Sequence, residues 1–243
     1  MRVENSYIAV EGVGETTERE LWVAGARTWT EFDPSLCGPT TGERIESFIE
    51  TARPRLSEGD SGFFDRKLPS AERWRLYENF REKACFFDIE TTGLDQDRNT
   101  VTCVSAHRGG DTKTLVRGDD LTAGNLRELL DAPLLITFNG ARFDVPFLET
   151  SFGLSIDAPH LDLLYPCRRA GLTGGLKAIE PEVGVERDRP DISGKDAVRL
   201  WREHERGVDG SLETLVSYNR EDTVNLKTVA DRTVERLDSQ LLP

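Results

Sequence analysis

Up to about residue 80 the apolar positions keep a helical rhythm. One helical pattern runs from Glu18 to Gly25, and Ile45, Phe48 and Ile49 predict a second helix over Thr41 to Ala52. Between Arg53 and Gly62 a Pro/Ser/Gly/Asp stretch breaks the rhythm and reads as a linker. A further helix is expected from Ser70, where Trp74, Tyr77 and Phe80 recur every three residues among Arg73, Arg75 and Arg81. From Ala84 the pattern changes. Cys85 to Ile89 is a short apolar strand, and Val101 to Arg108 and Thr112 to Val116 form a strand pair across the turn His107-Arg108-Gly109-Gly110-Asp111. Leu121 to Leu130 is helical, Leu134 to Phe138 a compact buried strand, Phe143 to Phe152 helical and Pro159 to Leu161 extended. The remainder is mainly helix, including one from about Ser211 through Leu237. Strands that first pair as a hairpin and then alternate with helices predict an α/β fold with a mixed sheet flanked by helices. A small helical N-terminal domain precedes it. The expected boundaries are a helical region 1–52, a linker and docking helix 53–83, and the α/β domain 84–243.

Composition narrows the class. Hydrophobic residues make up 37% of the 243, enough for a packed core, and no apolar run approaches the roughly 20 residues of a membrane helix. The first residues are acidic and glycine-interrupted, unlike a secretory leader, and the four cysteines (Cys37, Cys85, Cys103, Cys167) are scattered without a CxxC pair. A cytoplasmic protein with neither a disulfide framework nor a zinc site is expected. The formal net charge is −13, with 25 arginines against only six lysines. Such a surface repels a phosphate backbone, so any nucleic-acid site must neutralise charge locally. Acid-rich, lysine-poor composition also suits molar salt, which screens repulsion within about 3 Å.

Three segments carry candidate chemistry. In Phe86-Phe87-Asp88-Ile89-Glu90-Thr91-Thr92-Gly93-Leu94, Asp88 and Glu90 are two apart on a strand and point the same way. Keeping two adjacent carboxylates ionised asks for a cation, and hard oxygen donors suit Mg²⁺ or Mn²⁺. In Asn139-Gly140-Ala141-Arg142-Phe143-Asp144, a buried strand hands over to a helix, with Asp144 in the first turn, where the dipole favours a carboxylate. Within Tyr218-Asn219-Arg220-Glu221-Asp222, Tyr218 and Asp222 are four apart and share a helix face. Taken singly, a solvated strand end, a helix cap and a surface hydrogen-bonded pair would also account for them.

Their order is distinctive. D-x-E-T-T-G-L, then N-x-x-x-F-D, then Y-x-x-x-D in a late helix resembles the three exonuclease motifs of the DEDD, or DnaQ-like, superfamily in its DEDDy branch, which has a ribonuclease H-like fold. Gly175-Leu176-Lys177-Ala178-Ile179-Glu180, the stretch from Ile192-Ser193-Gly194 to Leu200-Trp201, and Tyr218-Asn219-x-x-Asp222 are similar to the YprB-type exonucleases. The likeness covers about Ala84 to Arg232. It implies a 3′–5′ exonuclease acting on the single-stranded end of a nucleic acid, DNA or RNA. Asp88, Glu90, Asp144 and Asp222 would hold two Mg²⁺ or Mn²⁺, with Asp88 bridging, and Tyr218 would orient the attacking water. Two cations ~3.5–4 Å apart activate water and stabilise the departing oxygen in such chemistry. Candidate substrate contacts are Thr91, Asn139, Arg168 and Lys177, with Arg169 beside them. Asp162 falls after the next strand and is either a support for the acids or a helix cap. A ribonuclease H-like endonuclease, or a silent nucleic-acid-binding module, are the rival readings.

At the other end, Val10-Glu11-Gly12-Val13-Gly14-Glu15 resembles a helix-hairpin-helix turn, and Ala24-Gly25-Ala26-Arg27 continues it. The resemblance makes Gly12 and Gly14 phosphate contacts through their backbone amides, while Glu11, Glu15 and Glu18 oppose that role. The Trp74, Tyr77, Phe80 stripe is expected to be a docking face rather than a base-stacking platform.

Overall fold

The structure, a computed structural model, describes residues 1–241. The chain divides into two compact units: Met1–Glu82 together with the chain from Thr233 on, and Lys83–Arg232.

The first unit is helical. α1 (Glu15–Val23) follows the Gly12-Val13-Gly14 turn, and α2 (Pro39–Ser57) buries Ile45, Ile49 and Ala52. The linker expected over 53–62 is absent. α2 runs through Pro54 to Ser57, and α3 (Ser61–Lys67) starts after three residues, its first turn held by Asp60, which accepts the Phe63 N–H at 2.9 Å. Packing of the apolar stripe carries the helix past a breaker-rich sequence, and the side-chain cap makes the restart abrupt. The helix expected from Ser70 is also different. Ser70–Leu76 is a 3₁₀ helix, and only Tyr77–Phe80 (α4) is α-helical. The three-residue spacing of Trp74, Tyr77 and Phe80 is the 3₁₀ period itself. All three are buried, so none is free to stack a base.

The second unit is the mixed sheet flanked by helices. Its strands are β1 (Cys85–Thr91), β2 (Val101–Arg108), β3 (Asp111–Val116), β4 (Leu135–Thr137) and β5 (His160–Asp162), in spatial order β3-β2-β1-β4-β5. The β1–β2 and β2–β3 pairs are antiparallel, while β1–β4 and β4–β5 are parallel. Gly109 and Gly110, both at positive φ, make the β2–β3 turn. Helices α5 (Ala123–Leu129), α6 (Asp144–Phe152), α7 (Leu164–Arg169), α8 (Leu176–Glu182), α9 (Gly194–Glu205) and α10 (Ser211–Leu241) complete the chain.

Alternation along β1 divides the core. Cys85, Phe87 and Ile89 pack with Leu126 of α5 and with Phe147 and Leu148 of α6. On the other side Cys103 of β2, which pairs with Glu90, packs with Leu200 and Trp201 of α9 and Leu215 and Tyr218 of α10. β1 is thus covered on both faces, and its polar residues Asp88 and Glu90 lie on the α10 side. Among the described residues no helix is long and apolar enough to cross a membrane.

Candidate active site

β1 delivers its two acids just before it stops being a regular strand. The pairing with β2 slips between Glu90 and Thr91, a bulge that ends the ladder. Thr91 then donates its hydroxyl to the Gly93 carbonyl at 2.6 Å, closing the exit turn. Glu90 is buried and Asp88 half-buried.

The third acid comes from the neighbouring parallel strand. After β4 the chain turns through Asn139, at φ 66°, and Gly140. A Cβ on Gly140 would come within 2.3 Å of the Thr137 hydroxyl, so the turn can lie on β4 only as glycine. Asp162, at the end of β5, fastens this turn by accepting the N–H groups of Asn139 (2.7 Å) and Ala141 (3.1 Å). It also starts α7 by accepting that of Leu164 (3.0 Å). Asp162 thus ties the turn before α6 to the start of α7. α6 opens at Asp144, which is buried and draws on its own amide and that of Ile89 in β1. The carboxyl ends of parallel strands are where open α/β sheets place their ligand sites.

The last acid and the phenol come from α10. Asn219 is fully buried and donates its Nδ2 to Asp88 at 2.7 Å. Tyr218 stands beside Asp222, one turn on along α10, and the Asp222 charge acts on its phenol. One oxygen each of Asp88, Glu90 and Asp222 lie within 4.8 Å of one another. Two cations border them. Lys177 of α8 stands 5.0 Å over the Tyr218 ring, and the Arg187 guanidinium is 6.0 Å from the same ring, with its Nη1 2.5 Å from Asp222 Oδ1.

Crowding and burial raise the proton affinity of these acids. Burial, then Asp144, Asp222 and Glu90, push the Asp88 carboxyl well above the usual range, against the Asn219 hydrogen bond. Burial, then Asp222 and Asp144, push Glu90 up against the charge of Lys177. Burial raises Asp144 to about 7 and also raises Asp222, which Arg187 pulls back down. Burial and the Asp222 and Glu90 charges raise the Tyr218 phenol, so it stays neutral at physiological pH. An acid set under this strain, with oxygen as its only donor atom and buried Asp222 Oδ1 lacking an aligned hydrogen bond, fits a hard divalent cation. Asp88, Glu90 and Asp222 would hold it directly, with Asp144 beside them.

The fold thus brings together all four expected acids, Tyr218 and Lys177. Asn139 and Arg168 are exposed, in the turn after β4 and on α7. The Thr91 hydroxyl is engaged in the turn. Gly12 has φ 86° and Gly14 is the N-cap of α1. Glu18 is buried and bound internally. Three residues given no role in the sequence stand in the site: Asn219, Arg187 and Glu180, which holds Arg187. Asn219 and Glu180 sit inside motif segments. Nothing in the local sequence of Arg187 marks it.

No curated protein matches the chain. Among solved structures, one described as the apo form of the nuclease is 22% identical, at a TM-score of 0.49 over 67% of this chain and 77% of that one. A family B DNA polymerase from the archaeon Pyrobaculum calidifontis is 17% identical, at 0.46 over 66% of this chain and 24% of its own. NrnC from Brucella melitensis with bound Mg²⁺ is 21% identical, at 0.35 over 68% and 89%. A family model described as RNase_H superfamily (RNase_H_2) matches residues 85–234, a span that contains the whole sheet, all four acids and Tyr218, and the chain therefore belongs to the ribonuclease H superfamily.

Proposed function

We propose that the protein is a divalent-metal-dependent 3′–5′ exonuclease acting on a single-stranded nucleic-acid end. The observation that carries the reading is the convergence of Asp88, Glu90 and Asp222 within 4.8 Å, with Asp144 close enough to raise two of them and Tyr218 beside the third. The acids do the holding. Bound between them, two Mg²⁺ or Mn²⁺ would activate water and stabilise the departing oxygen of a phosphodiester. Asn219 fixes the Asp88 carboxylate so that its free oxygen stays turned into the cluster. Tyr218 is a neutral phenol and so orients water rather than removing its proton. Lys177 presents a positive charge beside that phenol, where an entering phosphate needs compensation in so acidic a protein. Tyr at four residues before the last acid favours the exonuclease over the endonuclease reading. The Gly12–Gly14 turn is kept as a second, backbone-mediated phosphate contact.

The test is digestion of 3′-labelled, 5′-labelled and circular single strands, as DNA and as RNA, with Mg²⁺, Mn²⁺ or chelator. Mononucleotide release from the 3′ end that stops with chelator and spares circles is expected. Cut circles would favour the endonuclease, and no hydrolysis of any substrate would leave only a binding module.

A further inference from the structure

The least expected group in the acid site is Arg187, on the segment between α8 and α9. It is nearly inaccessible and makes two unlike contacts. Towards Glu180 it makes a fork: Nε and Nη2 each donate to one carboxylate oxygen, the second at 2.7 Å. Glu180 is itself buried and receives the Asn225 amide at 2.9 Å, so this side is a fixed mount. Towards the site, Nη1 lies 2.5 Å from Asp222 Oδ1 and 3.9 Å from Glu221 Oε2, yet neither geometry is an aligned hydrogen bond. The guanidinium is bolted to Glu180 and only leans on Asp222.

We propose that Arg187 is an internal rival of the divalent cation: it neutralises Asp222 until the cation arrives, must give up that contact for the cation to bind, and so sets the metal affinity of the site. The inference rests on the metal-dependent reading of the acid cluster.

The physical reason is competition for one carboxylate. A hard dication takes carboxylate oxygen at about 2.0–2.6 Å. A guanidinium nitrogen at 2.5 Å already occupies that side of Asp222, and two positive groups cannot share it in a buried site without strong repulsion. The weaker, misaligned contact is the one that yields. Because Nη1 is coplanar with the two nitrogens forked on Glu180, the contact is given up either by Asp222 turning its carboxylate towards the cation or by the whole fork shifting into the cavity of about 540 Å³ that borders Arg187, lined also by Lys177, Pro181, Val185 and Pro190. Whatever weakens the metal through Arg187 is, by reciprocity, weakened by the metal. The consequence is a site that tolerates its own acidity when empty of cation and fills only above a threshold that Arg187 defines.

The test is Mn²⁺ titration calorimetry on chelator-stripped full-length protein, without substrate. Arg187→Gln is expected to bind Mn²⁺ about tenfold more tightly than wild type, with Arg187→Lys, which keeps a charge but loses the fork, in between. Arg189→Gln is the charge control. It removes one positive charge from an exposed pair with Asp191 and is expected to stay within about twofold of wild type. Equal or weaker binding by Arg187→Gln, or equal tightening by Arg189→Gln, overturns the proposal. If Arg187→Gln gives no cooperative melt, Arg187→Lys decides alone: tighter than wild type supports, equal or weaker overturns. Wild type that binds Mn²⁺ without tightening in the variant defeats this inference and leaves the nuclease reading standing. No Mn²⁺ uptake by either protein defeats both.

Discussion

Each unit of the protein buries a cluster of charge, and the two clusters are built on opposite terms. In the helical unit, Arg75 is fully buried and holds Glu72 at 2.7 Å and Glu18 at 2.8 Å, while Ser6 receives it at 3.0 Å. Glu18 also takes the Ser6 hydroxyl and the Tyr7 and Ile8 amides, so the acid that lacks its own cation is repaid in hydrogen bonds. In the ribonuclease H-like unit, Asp88, Glu90 and Asp222 converge within 4.8 Å with Asp144 acting on two of them, a misaligned guanidinium against Asp222 and a lysine at the edge. The first arrangement is nearly closed, with Arg75 Nη2 left without an aligned partner, and serves the fold. The second is under-compensated, raises the proton affinity of its own carboxylates and is therefore poised to accept charge from outside. Burial alone does not separate a structural cluster from a functional one; the balance of charge and donors does.

That contrast can be broken or sharpened. Asp88→Asn is expected to lower hydrolysis at least ~10³-fold in single-turnover assays. In chelator it should also raise the melting temperature by ~2–4 °C, about 1 kcal/mol of relieved repulsion in a protein of this size. A fall in stability would make the acid cluster a structural one. Arg75→Ala has the opposite signature. It leaves two buried carboxylates unpaired and is expected to cost about 3–5 kcal/mol in urea denaturation, with Mn²⁺ affinity unchanged in whatever protein remains folded. Tyr218→Phe should slow hydrolysis ~10²-fold and leave Mn²⁺ affinity unaltered, and a wild-type rate would show the phenol hydroxyl to be dispensable.

The smallest effect is on the pH dependence of stability. Asp144 is raised from 3.8 to about 7, and Asp88 and Glu90 are raised too, so the folded state binds more protons than the unfolded chain. The Asp144 contribution is then fully present below pH ~4 and is lost as pH rises through about 7, and Asp88 and Glu90 act in the same direction. Melts in chelator should decline across that window, and saturating Mg²⁺ should flatten the slope, since the cation takes over from the protons. A slope unchanged by Mg²⁺ would mean that the acids are compensated as Arg75 compensates Glu18.

Much of this was readable in the residues. Cys85 to Ile89, Val101 to Arg108 and Leu134 to Phe138 are strands because short β-branched and aromatic runs between turn residues have few alternatives. Spacing placed Asp88 with Glu90 on one strand face and Tyr218 with Asp222 on one helix face, but it was the order of the three motifs, through its resemblance to the DEDDy exonucleases, that joined them with Asp144 into one set. Where composition was read without packing, the reading failed. Arg53–Gly62 looks like a linker, yet α2 crosses most of it, because Ile45, Ile49 and Ala52 anchor the helix through burial that no local window records. The helix expected from Ser70 is present, but its first seven residues are 3₁₀, as the period of three in its aromatic residues marks.

By itself the sequence determined the order of the elements, the face each acid occupies on its own element, and the set of residue types from which an oxygen cage can be assembled. These follow from local stereochemistry and need no knowledge of what lies opposite. Only the tertiary structure decided that Asn219 steadies Asp88 across 131 positions, that Asp162 ties down the turn before Asp144, and that Arg187 rather than Lys177 faces Asp222. Such pairings are set by loop closure and by burial of the whole core. Their energies depend on distance and desolvation, quantities that exist only once the chain has folded.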